Sequence, residues 1–303
     1  MTILVTGATG TIGSLVVQGL AAAGAQVQAF VRRPGKQRFP AGVGEVVGDL
    51  TDVASLRKAL STARTLFLLN AVTPDEVTQA LVALNLAREA GIERIVYLSV
   101  IHADRYTNVP HFTGKHTVER MIESLAIPAT VLRPAYFMQN DLTIQKVIRD
   151  HGVYPMPIGS AGVAMVDTRD IADVAVAELL RRDRASTALP RLTLDVVGPE
   201  ALTGATAAKA WGDALGRDVT CGGADLDAFE HQLASFSPPW LAYDMRLMMA
   251  GIQEIGMRAE AGSVERLRDI LGRPLRTYAE FVGETSSRNQ SGFAVHDHTL
   301  NAV

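Results

Sequence analysis

Three glycines lie at a regular spacing near the start of the sequence. The segment TGATGTIG, residues 6–13, places Gly7, Gly10 and Gly13 between a β-branched run and a helical pattern. Glycines at a strand-to-helix turn let a pyrophosphate approach backbone amides, and the N-terminus of the helix adds a partial positive charge. The spacing is GxxGxxG rather than GxGxxG, so the alternative is an ordinary strand–helix turn. We predict a loop that binds a dinucleotide.

Two arginines follow the second predicted strand, at the position that distinguishes the two nicotinamide cofactors. NAD sites usually carry an acidic side chain about 20 residues after the glycine loop, where it accepts a hydrogen bond from the ribose. This chain has Arg32 and Arg33 in that region. A guanidinium can bind a 2′-phosphate through two parallel charged hydrogen bonds. We predict NADP(H), with NAD(H) less favoured; the alternative is a solvated run of charge.

Further candidate residues follow the third and fourth predicted strands. Asp49 lies in GDLTD after the third strand, and Asn70 and Ala71 follow the fourth. Ligands of open parallel sheets bind at the carboxyl ends of the strands. We therefore expect Asp49 to reach the adenine ring, and Asn70 and Ala71 to lie along the cofactor.

A histidine and a lysine lie four residues apart in PHFTGK, residues 110–115. On a helix, positions i and i+4 share one face, so His111 and Lys115 can point into one site. In the alternative interpretation, His111 lies at the start of a helix and Lys115 pairs with Glu119 on the surface. Surface ion pairs of that kind contribute at most about 1 kcal/mol.

The elements that position these residues alternate along the first half of the chain. Short apolar runs separated by helical patterns are typical of buried parallel strands joined by right-handed crossovers. We predict an α/β fold with a doubly wound parallel (Rossmann) sheet. Its candidate strands lie within residues 3–6, 25–31, 43–50, 65–70, 93–100 and 128–134.

The composition of the chain changes near residues 150–165, which are rich in proline and glycine. We predict a dinucleotide-binding domain over residues 1–150, to which elements of 160–198 return. Residues 151–284 would form mainly a smaller, mostly helical C-terminal substrate lobe, and 285–303 a tail of unknown role. The methionine-rich segment 245–257 is interpreted as helix core or as a pliable wall for a flat aromatic substrate. Three aromatic residues, Phe236, Trp240 and Tyr243, lie near this segment in the sequence. The interpretation therefore includes a pocket lined by aromatic side chains.

Bulk properties exclude several classes of function. A formal net charge of -3 over 303 residues gives no reason to expect nucleic acid or an anionic membrane as a partner. The single cysteine, Cys221, cannot form an intrachain disulfide, and we see no signal peptide, so we expect a cytoplasmic protein. We predict no metal site, because the tail sequence His296-Asp297-His298 offers only two imidazoles. The sequence is compatible with a homo-oligomer.

Several longer segments together resemble the NmrA-like branch of atypical short-chain dehydrogenases/reductases, an NAD(P)-binding Rossmann family. The resemblance runs from Met1 to about Glu284, in the same order and at similar spacing. Relatives in that branch include NADPH-dependent quinone and triphenylmethane reductases, enzymes that tailor aromatic metabolites, and transcriptional co-regulators that bind NAD(P). The segments are TGATGTIG, VRRP, GDLTD, KHTVERMIESLAIPATVLRPAYFMQN, VDTRDIADVAVAELL and LGRPLRTYAEFV.

The resemblance implies a set of site residues. It places Ser99 near the nicotinamide, Tyr136 and Phe137 beside the nicotinamide or the substrate, and the helices after about Pro199 over the sheet edge. Lys115 aligns with the superfamily lysine, which holds the nicotinamide ribose. The implied cofactor contacts are Gly7, Thr9, Gly10, Thr11, Ile12, Gly13, Arg32, Arg33, Asp49, Leu50, Asn70, Ala71, Lys115, Tyr136 and Phe137.

His111 occupies the position of the general-acid tyrosine of ordinary members of the superfamily. Acceptors such as quinones delocalise the charge left by a hydride and therefore tolerate the loss of a strong acid. A histidine, with an unperturbed pKa near 6.5, can still donate a proton at neutral pH. We expect an NADPH-dependent oxidoreductase that acts on a quinone or another planar conjugated acceptor, with Lys115, His111 and Ser99 at the reacting centre. The alternatives are a non-catalytic NAD(P)-binding redox sensor and a tailoring oxygenase or ketoreductase of aromatic secondary metabolism.

Overall fold

The structure, a computed structural model, describes residues 2–290, with side chains up to Ser287. Seven of its strands form one parallel sheet in the order β3-β2-β1-β4-β5-β6-β8, and β7 and β9 form a separate short pair. The strands are β1 Thr2–Val5, β2 Gln26–Val31, β3 Gly44–Val47, β4 Thr65–Leu68, β5 Ile95–Leu98, β6 Ala129–Pro134, β7 Val153–Tyr154, β8 Leu192–Val196 and β9 Thr220–Cys221.

Helices connect the strands and build the C-terminal part of the chain. They are α1 Thr11–Ala22, α2 Val53–Leu60, α3 Glu76–Glu89, α4 Pro110–Ser124, α5 Gln145–His151, α6 Thr168–Arg184, α7 Gly204–Leu215, α8 Leu226–Ala234, α9 Pro239–Ile255, α10 Ser263–Leu271 and α11 Tyr278–Gln290. A 3₁₀ helix over Met138–Thr143 follows β6. Among the helices within residues 2–290, none combines the length and the apolar character that crossing a bilayer requires.

The central sheet is covered by helices on both faces. All residues of β4 and β5 are buried, because side chains on either face meet a helical layer. Helices α1 and α6 pack on one face, and α2, α3 and α4 on the other. The predicted fold class, a doubly wound parallel sheet, is confirmed. Five of the six predicted strands contain an observed strand, whereas β1 begins at Thr2, one residue before the predicted range 3–6.

Helix ends follow the capping chemistry of the sequence. The Asp52 side chain accepts a hydrogen bond from the amide of Ala54 at 3.0 Å and so begins α2. Asp167 does the same for α6 through the amide of Arg169 at 2.8 Å. Helix α7 ends at Gly216, whose φ of +66° lies in the left-handed region that favours glycine. These local signals determine where the connecting helices start and stop.

The polypeptide after residue 150 contributes both to the sheet and to a helical layer beside it. Helix α6 packs on α1, and β8 pairs with β6 in parallel. Among the later helices, α7 packs on α11 and α8 on α9, α10 packs on α6 and β8, and α11 also contacts the 3₁₀ helix after β6. Helix α11 continues to Gln290, past the predicted start of the tail at residue 285, and residues 291–303 lie outside the described part. The division into domains stays a prediction.

Candidate active site

The turn between β1 and α1 brings backbone segments together closely. Gly7 has a φ of +62°, and a Cβ added there would lie 2.9 Å from the carbonyl oxygen of Leu69. A Cβ on Gly13 would lie 2.1 Å from the carbonyl oxygen of Gly7, so only glycine fits. The amide of Gly10 donates a hydrogen bond to the carbonyl oxygen of Gly7 at 2.9 Å, and Gly10 is the N-cap residue of α1.

The N-terminus of α1 is suited to an anion. Gly10 offers no side chain to cap the helix, and the first turn of α1 contains no acidic residue. The amides of this turn, with the helix dipole, therefore favour a phosphate group. Thr9 and Thr11 are exposed on the turn, whereas Ile12 is buried beneath it. The residues fit the pyrophosphate of a dinucleotide.

The glycine turn lies where the sheet order reverses, between β1 and β4. The Thr6 hydroxyl donates to the carbonyl oxygen of Leu69 at 2.8 Å and accepts from the Leu69 amide at 2.8 Å, which ties the ends of the two strands together. A crevice outside the carboxyl ends of strands at such a switch point is the usual ligand site of this architecture. The predicted site residues after β2, β3, β4 and β5 all follow strands that end at this edge.

Arg32 and Arg33 are exposed just past the end of β2. The charge of Arg32 reaches two nearby carboxylates. Hydrogen bonds from the Thr51 hydroxyl and amide hold the pKa of Asp49 below its ordinary value, and Arg32 adds to this effect. Thr73 and Gln79 lower the pKa of Asp75 in the same way, again with help from Arg32. An anion at this corner would meet a guanidinium beside two ionised carboxylates.

Residues after β3 and β4 lie along the same edge of the sheet. Asn70 is buried, and its Nδ2 donates to the carbonyl oxygen of Glu76 at 3.0 Å. Its Oδ1 has no hydrogen-bond partner within residues 2–290 and so remains available as an acceptor. Ala71 is exposed and Leu50 is half-buried. Asn70, Ala71 and Leu50 therefore lie where a dinucleotide would run along the sheet edge. That they contact a cofactor stays a prediction.

A pocket lies between the sheet edge and helices α4 and α9, with about 480 Å³ of space up to and including its open mouth. It brings together Ser99, His111, Lys115, Tyr136 and Phe137, which come from three separate stretches of sequence. Most of the remaining wall is apolar. Its other lining residues are Leu69, Leu98, Val100, Phe112, Pro134, Ala135, Asn140, Met248 and Met257.

His111 lies in the first turn of α4 and pairs with a carboxylate from the C-terminal helices. Its Nδ1 is 2.6 Å from Oδ2 of Asp244 on α9, and both side chains are 1% exposed. The backbone amide of His111 also donates to Oδ1 of Asp244 at 3.5 Å. The ring atom Nε2 is buried and, among the described residues, without a hydrogen-bond partner.

Lys115 lies one turn after His111 and pairs with a buried carboxylate of α3. Its Nζ is 3.6 Å from Oε2 of Glu76, and the two side chains are 6% and 7% exposed. Burial raises the pKa of Glu76, although the positive charge of Lys115 opposes this shift. The alternative interpretation, a surface pair between Lys115 and Glu119, is therefore wrong. Glu119 is buried too, but its carboxylate binds Ser99 and Arg133 instead of Lys115.

Ser99 follows β5 and is tied to a second buried ion pair. Its hydroxyl donates to Oε1 of Glu119 at 2.5 Å. Arg133 donates to both oxygens of that carboxylate, at 3.0 and 2.5 Å. The Ser99 proton is therefore committed to Glu119, which leaves the hydroxyl oxygen to face the pocket as an acceptor. This geometry favours a positioning role for Ser99 over proton donation.

Tyr136 is the one tyrosine among the described lining residues of the pocket. Burial raises the pKa of its hydroxyl far above the ordinary value, with Asp141 adding to the effect and a hydrogen bond with Asn140 opposing it. No described lysine is paired with this hydroxyl, since Lys115 faces Glu76. Tyr136 is therefore not activated as an acid in the way a tyrosine–lysine pair would be.

The methionine-rich segment contributes both to the helix core and to the pocket wall, the two roles predicted for it. Met248 and Met257 line the pocket, whereas Met245 and Met249 are buried in the core. The aromatic part of the interpretation is wrong. Phe236, Trp240 and Tyr243 are 64%, 40% and 51% exposed and do not line the pocket, because they lie on the outer faces of α9 and the loop before it.

Two site residues, Asp244 and Glu76, were missed by sequence reasoning. A signal for Asp244 exists, since it precedes Met248 by one helical turn and Ile252 by two, and so shares the buried face of α9. A carboxylate on a buried helix face is rare unless it is paired. Its partner, however, lies 133 residues away, which the sequence does not reveal.

Within residues 2–290, no cluster of histidine, cysteine and acidic side chains could hold a metal ion. The tail sequence His296-Asp297-His298 lies outside the described residues. The prediction that the protein contains no metal site therefore stays untested there.

Comparisons with known proteins agree with this geometry. The model of the NmrA-like family matches residues 1–281. The chain belongs to the NmrA-like family. An NAD(P)H azoreductase from Xenophilus azovorans is 32% identical over 92% of this chain and 96% of its own length. A (4-alkanoyl-5-oxo-2,5-dihydrofuran-3-yl)methyl phosphate reductase from Streptomyces griseus is 33% identical over 93% of this chain and 97% of its own.

A solved structure shares the whole architecture of this NmrA-like protein. It is an NADPH-dependent quinone oxidoreductase from Escherichia coli in complex with NADPH, with a TM-score of 0.81 and 25% sequence identity. The match covers 94% of this chain and 99% of that one, so the C-terminal helices are included. The predicted family is thereby confirmed.

Proposed function

We propose that the protein is an NADPH-dependent reductase that transfers a hydride to a quinone, an azo compound or another planar conjugated acceptor. The observation that carries the proposal is the apolar pocket at the carboxyl edge of the sheet. Lys115 and His111 line this pocket, and its one described tyrosine, Tyr136, is not activated as an acid. The prediction of an NAD(P)H-dependent oxidoreductase is confirmed by relatives that carry that activity in their names.

The cofactor site combines the glycine turn with charged and polar residues along the sheet edge. When bound, NADPH supplies the hydride, and the protein supplies binding, orientation and protons. Gly7, Gly10 and Gly13 would admit the pyrophosphate because no Cβ fills the turn. Arg32 and Arg33 would bind the 2′-phosphate, and Lys115 the nicotinamide ribose.

The chemistry of the acceptor follows from the acids that the pocket offers. A simple ketone reduced by a hydride leaves a localised alkoxide, which requires a strong, well-placed acid. Ser99 donates its proton to Glu119, and burial raises the pKa of Tyr136, so neither meets that requirement. A quinone or an azo group spreads the negative charge over a conjugated system, so a single histidine such as His111 suffices as the proton donor. The apolar walls suit a flat aromatic body.

The proposal is tested by following NADPH oxidation with the purified protein against quinones, azo dyes and triarylmethane dyes. Simple ketones and aldehydes of similar size serve as the comparison set. We expect turnover of the conjugated acceptors and little or none of the ketones. Tight NADPH binding without turnover of any conjugated acceptor would refute the reductase and favour the redox sensor. Faster turnover of ketones would favour a ketoreductase instead.

Three further properties are proposed on sequence evidence. We propose a cytoplasmic location, because the chain has a single cysteine, Cys221, which is exposed and unpaired. The net charge of -3 favours small-molecule partners over nucleic acid. A homo-oligomer remains compatible with the sequence, and the mass of the protein in solution would decide it.

A further inference from the structure

The pocket contains a histidine–carboxylate pair that bridges two parts of the chain. His111 begins α4 beside the sheet, and Asp244 lies in the middle of α9. The distance of 2.6 Å between Nδ1 and Oδ2 is that of a strong, charge-assisted hydrogen bond. Nearly complete burial of both side chains excludes the competition with water that weakens surface pairs.

This hydrogen bond determines which ring nitrogen carries the proton. An ionised carboxylate can only accept, so the bond to Asp244 places a hydrogen on Nδ1. The second contact, from the His111 amide to Oδ1 of Asp244, prevents the carboxylate from rotating away. Nε2 is then the nitrogen left to exchange a proton, and it has no hydrogen-bond partner within the described residues.

The histidine–carboxylate pair belongs to a larger buried cluster of ionisable side chains. Lys115 and Glu76 are the other ionisable side chains of the cluster, and the charges of Lys115, His111 and Asp244 all act on Glu76.

We propose that Asp244 is a positioning residue for proton delivery by His111. Asp244 holds the Nδ1–H form of the imidazole, so that the protonated ring presents Nε2–H to the acceptor. The acceptor gains two electrons and one hydrogen with the hydride that NADPH supplies. The Nε2–H bond then breaks, an O–H or N–H bond forms on the acceptor, and His111 is left neutral until water reprotonates it. The proposal rests on the proposed reductase function.

The kinetic part of the test uses Asp244→Asn, His111→Gln and the double variant. We expect His111→Gln to lower kcat about 100-fold, and Asp244→Asn to lower it about 10-fold, with the KM for NADPH unchanged. Because Asp244 acts through His111, adding Asp244→Asn to His111→Gln should cause no further loss. Losses that multiply in the double variant would overturn the proposal. Glu254→Gln, which removes an exposed carboxylate of the same helix α9, is the matched control and should retain kcat.

A spectroscopic readout separates this proposal from the proposed function. In protein labelled with ¹⁵N-histidine and saturated with NADP⁺, His111→Gln identifies the His111 ring signals. We expect those signals to report a proton on Nδ1 in the wild-type protein and to change in Asp244→Asn but not in Glu254→Gln. If the wild-type protein reduces no acceptor, the reductase function fails and these signals alone decide the role of Asp244. Unchanged His111 signals in Asp244→Asn would overturn the proposed positioning role of Asp244.

Discussion

At the scale of single residues, polar groups around the pocket are held by partners from other elements. Lys115 faces Glu76, His111 faces Asp244, and Ser99 faces the Glu119–Arg133 pair. Burial of an unpaired charge is costly, so each partner stabilises the side chain that the pocket uses. The result is a set of polar side chains whose orientation is held by contacts within the protein.

Replacing Lys115 by Met should lower both stability and NADPH affinity. The substitution leaves Glu76 buried without its cation, and breaking a buried pair typically costs about 3–5 kcal/mol. Because burial already raises the pKa of Glu76, uptake of a proton should reduce that cost at low pH. Urea denaturation would measure the stability, and fluorescence titration the affinity.

The double variant Lys115→Met, Glu76→Gln separates the two roles of the lysine. It removes the unpaired charge, so we expect stability to recover while NADPH affinity remains low. Recovery of both would show that Lys115 acts only by pairing with Glu76 and does not bind the cofactor.

At the scale of elements, the β1–α1 turn packs closely against the end of β4. The carbonyl of Gly7 lies beneath Gly13, and the carbonyl of Leu69 beneath Gly7. These contacts bring the first turn of α1 against the ends of β1 and β4. The turn therefore couples the binding of an anion to the position of a whole helix.

We predict that Gly13→Ala abolishes tight NADPH binding. The new Cβ would lie 2.1 Å from the carbonyl oxygen of Gly7, so the turn must open, and overpacking of this kind costs about 1–3 kcal/mol. Gln18→Ala, at an exposed position on the same helix, is the control and should bind NADPH as the wild-type protein does. Isothermal titration with NADPH measures both. An unchanged dissociation constant in Gly13→Ala would place the pyrophosphate elsewhere.

At the scale of the whole molecule, a buried polar network joins the C-terminal helices to the turn after β6. The hydroxyls of Tyr154 and Tyr278 both donate to Oδ2 of Asp141, the former at 3.1 Å, and the indole of Trp211 donates to Tyr278 at 2.9 Å. Burial raises the pKa of Asp141 to about 7, even though both tyrosine hydroxyls oppose the shift. The neighbouring Asn140 lines the pocket, so this network supports its floor.

The raised pKa of Asp141 predicts how stability depends on pH. Between about pH 4, where Asp titrates in the unfolded chain, and about pH 7, the folded protein binds the extra proton. This contribution to the free energy of unfolding is therefore largest at low pH. It falls by up to about 1.4 kcal/mol per unit as the pH rises, and it levels off above pH 7.

Asp141→Asn tests this prediction, because the amide cannot ionise. Urea denaturation at a series of pH values should show the variant gaining stability relative to the wild-type protein as the pH rises from about 4 to about 7. Parallel curves for the two proteins would contradict a raised Asp141 pKa.

The sequence alone determined the fold class, the tight glycine turn after β1 and the common face of His111 and Lys115, and the resemblance of several segments indicated the family. The fold class, the turn and the shared face depend on local rules: β-branched runs form strands, glycine permits tight turns, and residues four apart share a helix face. Local capping chemistry likewise explains why α2 begins after Asp52 and why α7 ends at Gly216.

Only the tertiary structure decided which side chains complete the site. Asp244 and Glu76 reach His111 and Lys115 from different helices, and Phe236, Trp240 and Tyr243 turn outward although they lie beside pocket residues in sequence. The physical reason is that these contacts depend on how α3, α4 and α9 pack against one another. Periodicity indicates which face of a helix is buried, but not which residue of another element will meet it.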